Sequence, residues 1–507
     1  MPETRELELK LEVLPRQGKA LKKGLSQLGE PAARQRLVST YFDTDGYHLR
    51  ENGLTLRIRS DGSGRVQTVK QSRGAPGIGV FDRSEWESEI SGDEPDIAAA
   101  AGSPLDDLDK GVTDRLRPVF RSDVERTTWR VERDGATIEV ALDDGRMVLG
   151  DESHPFGELE LELKDGLPAA LFALARTLDG TGALRLGVLA KSERGYRLAA
   201  GESVRHYKAE PVGLTRGTTT ADAFAAITRA CIRHFRLNEA AVTEKRAAEG
   251  LHQARVAIRR LRSALSIFKA LLGDPESEAI KSRLRAFAAL LGEGRNLDVY
   301  LERLRSPEPD DPPAAPELTV KLSADREVAY DGIAKALASK RFRGLMLDLL
   351  VWAEDGAWRE AGDPEARERL ARPIEETASD MLKARRRRVR KRGRHLAAIS
   401  PEARHEVRIE AKKLRYAAEF FTGLVERKRD RKRLKAFLSG LEELQESLGQ
   451  LNDLETARVL RAEHGTPEAE KAMRTGDDEG QERELIATAA AAYDVFSDAK
   501  PFWRDFA

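Results

Sequence analysis

The chain has 507 residues, too many for a single hydrophobic core, so its length predicts two to four domains. Its 86 Lys and Arg residues balance its 86 Asp and Glu residues, which excludes the net positive charge typical of a bulk nucleic-acid binder. A single cysteine, Cys231, excludes an internal disulfide framework and argues against a cysteine-based metal site. Any attraction for anions must therefore come from local segregation of charge.

The N-terminal part of the chain alternates in polarity with a period of two residues. The alternating runs are residues 6–12, 55–59, 137–140 and 158–164. This period predicts β-strands with two different faces, and Asp-Gly pairs between the runs predict turns. Helical patterns interrupt the strands near residues 18–28 and 168–178, and from Thr219 onward the pattern is helical.

Charged residues are segregated by sign on the predicted strands. Glu6, Glu8 and Lys10 share one strand face, as do Arg57 and Arg59. Glu158, Glu160, Glu162 and Lys164 share another. A solvated face is the usual explanation for any one such strand. Several strands with purely acidic or purely basic clusters favour a closed barrel that directs both inward, with carboxylates holding a divalent metal and cations holding phosphate.

The order of these motifs resembles the CYTH superfamily, the triphosphate tunnel metalloenzymes. Glu6-Leu7-Glu8-Leu9-Lys10 is similar to the ExExK signature of that family, and the resemblance covers about the first 200 residues. The motifs that follow in order are Tyr41-Phe42-Asp43-Thr44, Arg57 and Arg59, Lys70, Arg83 with Glu85, Arg126, Glu139, Asp143, Glu158 with Glu160, and Lys191 to Tyr196. The resemblance implies a closed eight-stranded antiparallel tunnel.

The resemblance also implies roles for individual residues. The implied ligands of Mg²⁺ or Mn²⁺ are Glu6, Glu8, Asp143, Glu158 and Glu160. The implied substrate-binding residues are Lys10, Arg57, Arg59, Lys70, Arg83, Arg126 and Lys191, and the implied catalytic residues are Glu6, Glu8, Lys10 and Lys70. Glu162 lies on the same face, so the register of the acidic strand could differ by two residues. Val124 stands where many members carry a second cation, which leaves the preferred substrate length open.

The helical half contains an internal repeat. The segment from His252 to Arg262 matches the segment from His405 to Arg415, and Leu291-Gly292 is echoed by Leu448-Gly449. A duplicated helical unit is the natural interpretation. A proline-rich break at 306–313 separates two parts of this half.

Each repeated segment carries a basic stripe. At 100° per residue, His252, Arg255, Arg259 and Arg262 fall within about 80° of arc. A solvated face is the common explanation for one basic helix, but this stripe lacks Glu at the pairing distance and recurs in the duplicate. A basic run at 383–395 adds further cations, and aromatic residues are only 6% of the chain. A polyanion without bases therefore fits better than single-stranded nucleic acid.

This half resembles the CHAD domain, the conserved histidine α-helical domain, from about Thr219 to the C-terminus. The resemblance implies two related four-helix bundles around a basic groove that binds inorganic polyphosphate. The residues implied to bind it are His252, Arg255, Arg259, Arg260, Arg262, His405, Arg408, Lys412, Lys413 and Arg415.

Together these patterns predict an α+β fold, with a tunnel domain at 1–205, a linker at 206–218 and a helical domain at 219–507. The two helical repeats are expected at about 219–305 and 318–507. The expected function is metal-dependent hydrolysis of inorganic triphosphate, with polyphosphate bound by the helices. The alternatives are a non-catalytic polyphosphate-binding or granule-targeting protein, and a hydrolase or cyclase acting on nucleotide or thiamine triphosphate. With no apolar signal core or membrane span of ~18 residues, we expect a cytoplasmic protein associated with polyphosphate granules, without membrane or nucleic-acid partners.

Overall fold

The computed structural model describes residues 7–14, 17–72, 78, 83–305, 316–360, 363–464 and 477–506. An antiparallel sheet occupies the N-terminal part and helices occupy the C-terminal part, which confirms the predicted α+β class. Glu6, the side chain of Arg83 and the proline-rich break at 306–313 lie outside the described residues.

The described part of the N-terminal region forms one nine-stranded antiparallel sheet. Its strands are β1 (Leu7–Val13), β2 (Ala33–Asp43), β3 (Leu54–Ser60), β4 (Arg65–Ser72), β5 (Arg83–Ile90), β6 (Arg117–Arg133), β7 (Ala136–Leu149), β8 (Glu152–Asp165) and β9 (Leu184–Leu186). The hydrogen-bonded order is β5-β4-β3-β2-β6-β7-β8-β1-β9. The predicted number of eight strands is wrong by one, because the three-residue strand β9 pairs with β1.

Short helices flank the sheet and bury one of its faces. They are α1 (Gly18–Leu25), α2 (His48–Glu51), α3 (Lys110–Thr113), α4 (Pro168–Asp179) and α5 (Lys191–Ala199). The helices predicted near residues 18–28 and 168–178 are thus confirmed. On β8, Leu159 and Leu161 are fully buried, and α4 packs on β7 and β8. Burial of the apolar face leaves the alternating charges of the same strands on the opposite, inner face.

The C-terminal half is helical. Its helices are α6 (Thr220–Thr243), α7 (Ala248–Ile267), α8 (Pro275–Arg305), α9 (Pro316–Ala338), α10 (Lys340–Asp355), α11 (Pro364–Ala371), α12 (Ile374–Arg392), α13 (Pro401–Phe420), α14 (Lys428–His464) and α15 (Asp477–Asp498). Helix α13 packs on α12 and α14, and α14 packs on α15. The two repeated segments lie on α7 and α13. None of the described helices combines the length and the apolar content that a membrane crossing requires.

The chain divides into two compact units. The first consists of residues 1–210, 229–258 and 282–356, and the second of residues 211–228, 259–281 and 357–507. Within the first unit, α10 packs on α4 and β9, so helices of the C-terminal half share a unit with the sheet. The domain limits inferred from sequence remain a prediction.

Candidate active site

Lys191 enters the inner side of the sheet at the start of α5, and three contacts fix that helix. Glu193 accepts hydrogen bonds from the Arg50 guanidinium at 2.9 and 3.2 Å. Tyr196 packs edge-on against Phe120, with ring centroids 5.2 Å apart. Gly195 allows this approach, because a Cβ there would lie 2.0 Å from the Phe120 ring. The side chains of α5 therefore hold Lys191 in place.

Carboxylates from two neighbouring strands surround the Lys191 ammonium. Its Nζ lies 2.8 Å from Asp143, 2.5 Å from Glu158 and 2.7 Å from Glu160. Antiparallel pairing places Asp143 opposite Glu158, which explains how residues distant in sequence meet. Arg126 donates two hydrogen bonds to Asp143, both at 2.7 Å, and one to Glu160 at 2.5 Å.

Lys10 extends this network from β1. Its ammonium lies 2.7 Å from Glu160 and 2.8 Å from Glu8. Burial alone would lower the pKa of Lys10, but Glu160 and Glu8 raise it above the usual value. Burial opposes ionisation of Glu160 too, but Lys10, Lys191 and Arg126 bring its pKa well below normal. Both groups are therefore charged at neutral pH.

Asp143, Glu158 and Glu160 form a buried cluster whose nearest ligand oxygens all lie within 4.8 Å of one another. Glu158 Oε2 is buried and has no hydrogen-bond partner among the described residues. Burial raises the pKa of Glu158, which marks a carboxylate whose charge is under-compensated. Carboxylate oxygens are the ligands that Mg²⁺ and Mn²⁺ prefer, so the cluster fits such an ion.

A second group of cations lies on β3 and β4. Lys70 donates to Glu85 at 2.7 Å, and the Arg57 guanidinium lies 3.6 Å from the same carboxylate. Arg57 Nε is buried without a hydrogen-bond partner among the described residues. Burial and the neighbouring Arg57 lower the pKa of Lys70 to about 8. An anion bound here could accept hydrogen bonds from these side chains.

Both groups line one cavity of about 190 Å³. Six of the seven residues predicted to bind substrate line it: Lys10, Arg57, Arg59, Lys70, Arg126 and Lys191. Of the predicted metal ligands, Asp143 and Glu160 line it and Glu158 joins them in the buried cluster. Glu8 lines it as the partner of Lys10. The structure places Glu162 on the cavity wall, 2.5 Å from Lys164.

Sequence reasoning assigned no role to Glu85, which joins Lys70 and Arg57 inside the cavity. Apart from Val124, it also missed the neutral part of the wall. Leu37, Ser39, Ser122 and Val124 line the cavity and are all buried. The period of two was a usable signal, since Ser122 and Val124 precede Arg126 by four and two residues on β6.

In the helical half, each basic stripe runs beside a glycine. A Cβ on Gly292 would lie 2.8 Å from Nη1 of Arg255. In the second unit, a Cβ on Gly449 would lie 3.3 Å from Nη2 of Arg408. The Leu-Gly pairs of the repeat therefore leave room for equivalent arginines of the stripes.

Two residues predicted to bind polyphosphate are tied into the helical packing. Arg260 is buried, forms an ion pair with Glu419 and stacks over Phe420, with its guanidinium carbon 4.9 Å from the ring centroid. Lys413 donates to Glu410 at 2.7 Å.

Arg259 and Arg415 each have a buried Nε without a hydrogen bond among the described residues. The remaining predicted residues, His252, Arg262, His405 and Lys412, lie on α7 and α13.

A sheet whose cavity carries mixed charge, followed by helices with repeated basic stripes, agrees with two known families. Residues 4–196 match the model of the CYTH domain, and residues 226–462 match the model of the CHAD domain. The chain thus carries a CYTH domain followed by a CHAD domain.

Particular relatives extend these matches. An inorganic triphosphatase of Haemophilus influenzae is 31% identical over 198 residues, 38% of this chain and 55% of that protein. The alignment thus spans little more than half of that relative. An uncharacterized protein of Mycobacterium tuberculosis is 28% identical over 420 residues, 77% of this chain and 76% of that protein. The crystal structure of a CHAD domain from Ricinus communis is 28% identical, with a TM-score of 0.45, covering 58% of this chain and 95% of that one.

Proposed function

We propose that the tunnel hydrolyses inorganic triphosphate with a bound Mg²⁺ or Mn²⁺, and that the helical domain binds polyphosphate. One observation carries the tunnel's role. One cavity joins a cluster of buried carboxylates to cations on several strands, and each side has a buried polar atom that finds no hydrogen-bond partner in the part of the chain that the structure describes. The similarity to the Haemophilus triphosphatase supports the same reaction.

Each side of the cavity has a distinct role in this proposal. Asp143, Glu158 and Glu160 would hold the metal, with Glu8 beside them. A divalent ion there would neutralise charge on the phosphoryl oxygens and orient them for attack by water. Arg57 and Arg59 would bind phosphate oxygens with their planar guanidinium groups, because two parallel donors match a phosphate.

The other cations would complete the binding of the substrate. Lys10, Arg126 and Lys191 are held by carboxylates at the acidic side, so they can compensate phosphate charge next to the metal. Glu85 holds Lys70 beside Arg57. These preformed ion pairs reduce the reorganisation that substrate binding requires.

Polyphosphate binding is proposed for the stripes on α7 and α13. The glycines beside Arg255 and Arg408 support it, because they leave space along the arginines at equivalent positions of the repeat. Binding of long polyphosphate would bring the protein to polyphosphate granules.

The direct test is phosphate release from a panel of inorganic, nucleotide and thiamine triphosphates, with Mg²⁺ or Mn²⁺ and with a chelator. We expect hydrolysis of the inorganic substrate that the chelator abolishes. Undiminished hydrolysis in the presence of the chelator would refute the requirement for a metal. A preference for a nucleotide triphosphate would refute inorganic triphosphate as the substrate.

A further inference from the structure

The basic run on α12 separates into two sets of residues. Arg385 is buried and donates to the carbonyl of Ser266 at 2.6 Å. Arg386 donates to the carbonyl of Ser497 at 2.9 Å, and Arg390 to the hydroxyl of the same serine at 3.1 Å. These three arginines hold neighbouring elements together, so the charge of the run is only partly available to a ligand.

The second set surrounds a cavity of about 430 Å³ within the second compact unit. Arg388, Lys391, Arg392 and Glu410 line it. Arg388 and Lys391 are exposed, and no carboxylate of the described residues forms an ion pair with either of them. The volume falls in the range of small-molecule sites.

Glu410, the one acid among the described residues that line the cavity, is already compensated. Glu410 accepts from Lys413 at 2.7 Å and from Arg385 at 3.4 Å. Burial favours its neutral form, but Lys413, Arg385 and the cavity's own Arg388 lower its pKa below the usual value. The lining therefore presents an excess of positive charge.

This cavity is separate from the stripe on α13. At 100° per residue, Arg408, Lys412 and Arg415 lie on one side of that helix, and Glu410 lies about 140° to 160° away from each of them. Glu406, on the same side as Glu410, forms an ion pair with Arg392 at 3.2 Å. A ligand in the cavity would thus occupy the α12 side of α13.

The row of cations that α12 contributes to this cavity is also short. Arg388 and Arg392 are one helical turn apart, about 6 Å along the axis. The preceding position of that ridge is Ala384, and the helix ends at Arg392, so the row does not continue in either direction. A long polymer would gain little here, whereas a compact anion could contact all three cations.

We propose that this cavity is a second anion site, which takes a compact multivalent phosphate such as pyrophosphate. Arginine supplies bidentate donors and lysine a point charge for such an anion. Hydrolysis of triphosphate yields pyrophosphate and orthophosphate, so on the proposed function of the tunnel the ligand would be a product. The binding itself does not depend on that function.

The test is acylation of lysines in the full chain, with chelator present, with and without pyrophosphate at matched ionic strength. Mass spectrometry then follows Lys391 and, as an internal control, Lys383, which is exposed on the same helix outside the cavity. We expect saturating pyrophosphate to slow acylation of Lys391 about ten-fold and to leave Lys383 unchanged. Arg388→Ala should remove this protection, and Arg387→Ala, an equal loss of charge outside the lining, should retain it.

Several outcomes would overturn the proposal. Unprotected Lys391 would show that pyrophosphate does not bind there. If Lys383 is protected equally, or if both arginine variants lose the protection of Lys391 equally, the effect comes from the general electrostatic attraction of the basic run and not from a binding site. Protection by long-chain polyphosphate or single-stranded DNA alone would refute the compact ligand. Because the readout requires no turnover, an inactive tunnel would not alter any of these results.

Discussion

The tunnel and helix α12 both concentrate cations, but they use them differently. In the tunnel, Lys10, Arg126 and Lys191 meet carboxylates of one cavity. On α12, Arg385 and Arg386 donate to backbone carbonyls of neighbouring elements. A strand returns to the same face every second residue, whereas a helix rotates by 100°. Alternating charges on strands thus share one site, and consecutive charges on a helix are divided between packing and solvent.

The largest effect on activity is expected from substitutions in the buried carboxylate cluster of the cavity. Glu158→Gln should reduce metal-dependent hydrolysis on the order of 100-fold, because it removes a charged oxygen from the buried cluster. Glu162→Gln is the matched control, four residues along the same strand and beside Lys164. Rates at limiting Mg²⁺ and calorimetric metal affinities would check both variants. A larger loss in Glu162→Gln would move the metal site two residues along β8.

The second prediction asks whether position on a helix face governs polyphosphate binding. Arg408→Glu with Lys412→Glu should weaken binding about ten-fold or more, because two predicted phosphate contacts are reversed. The slope of log Kd against log salt should fall by about two. Arg387→Glu with Arg394→Glu reverses the same charge at exposed positions of the basic run and should have a smaller effect. Equal losses in the two double variants would mean that only total charge matters.

Much of the tunnel could be predicted because strand period alone decides which side chains share a face. Arg57 and Arg59 were placed on one strand face in this way, and they line one cavity with Lys10, which the family resemblance assigned to the same site. The strand Leu184–Leu186 could not be found, since three residues are too short to show a period. The role of Glu85 depends on pairing between β4 and β5, a long-range fact that local pattern does not contain.

The helical half was harder to predict at the level of single residues. Arg259 and Arg260 are adjacent in sequence and equally basic, but a 100° rotation carries Arg260 to the buried face. There it pairs with Glu419, more than 150 residues away. Ala257 and Ala264, three before and four after Arg260, are the sequence signal of that buried face. Which member of an Arg-Arg pair faces solvent follows from such neighbours.

The third prediction uses the titration of Lys70 in the tunnel. Its pKa of about 8 reflects burial, Arg57 from β3 and Lys10 from β1, against Glu85 from β5. Below that pH the ammonium is charged and binds phosphate, and above it the charge is lost. We therefore expect kcat/KM for triphosphate to fall a few-fold between about pH 7 and 9. Lys70→Arg should lack this fall in kcat/KM, because arginine stays charged. Dividing the pH profile of the wild-type protein by that of the variant removes the contribution from titration of the substrate itself. Parallel profiles would show that Lys70 does not titrate in this range.

The smallest expected effect concerns a glycine that leaves room for an arginine of the stripe. An alanine Cβ at Gly449 would lie 3.3 Å from Nη2 of Arg408, so the guanidinium must move by a few tenths of an ångström. We expect Gly449→Ala to weaken polyphosphate binding about three-fold, because a displaced donor loses hydrogen-bond geometry. The same substitution should stabilise α14 by up to about 1 kcal/mol, since alanine is the better helix former.

A control for this effect lies on the same helix. Gly440→Ala would place its Cβ at an ordinary contact distance, 3.6 Å from the Cα of Phe496 and away from the stripe. It should share the gain in stability and retain the affinity, as measured by urea unfolding and by polyphosphate titration. Affinity and stability thus change in opposite directions only at Gly449, a combination that damage to the fold would not produce. Full affinity in Gly449→Ala would show that the position of the Arg408 guanidinium is not critical for the ligand. Equal losses of affinity in both variants would attribute the effect to α14 as a whole.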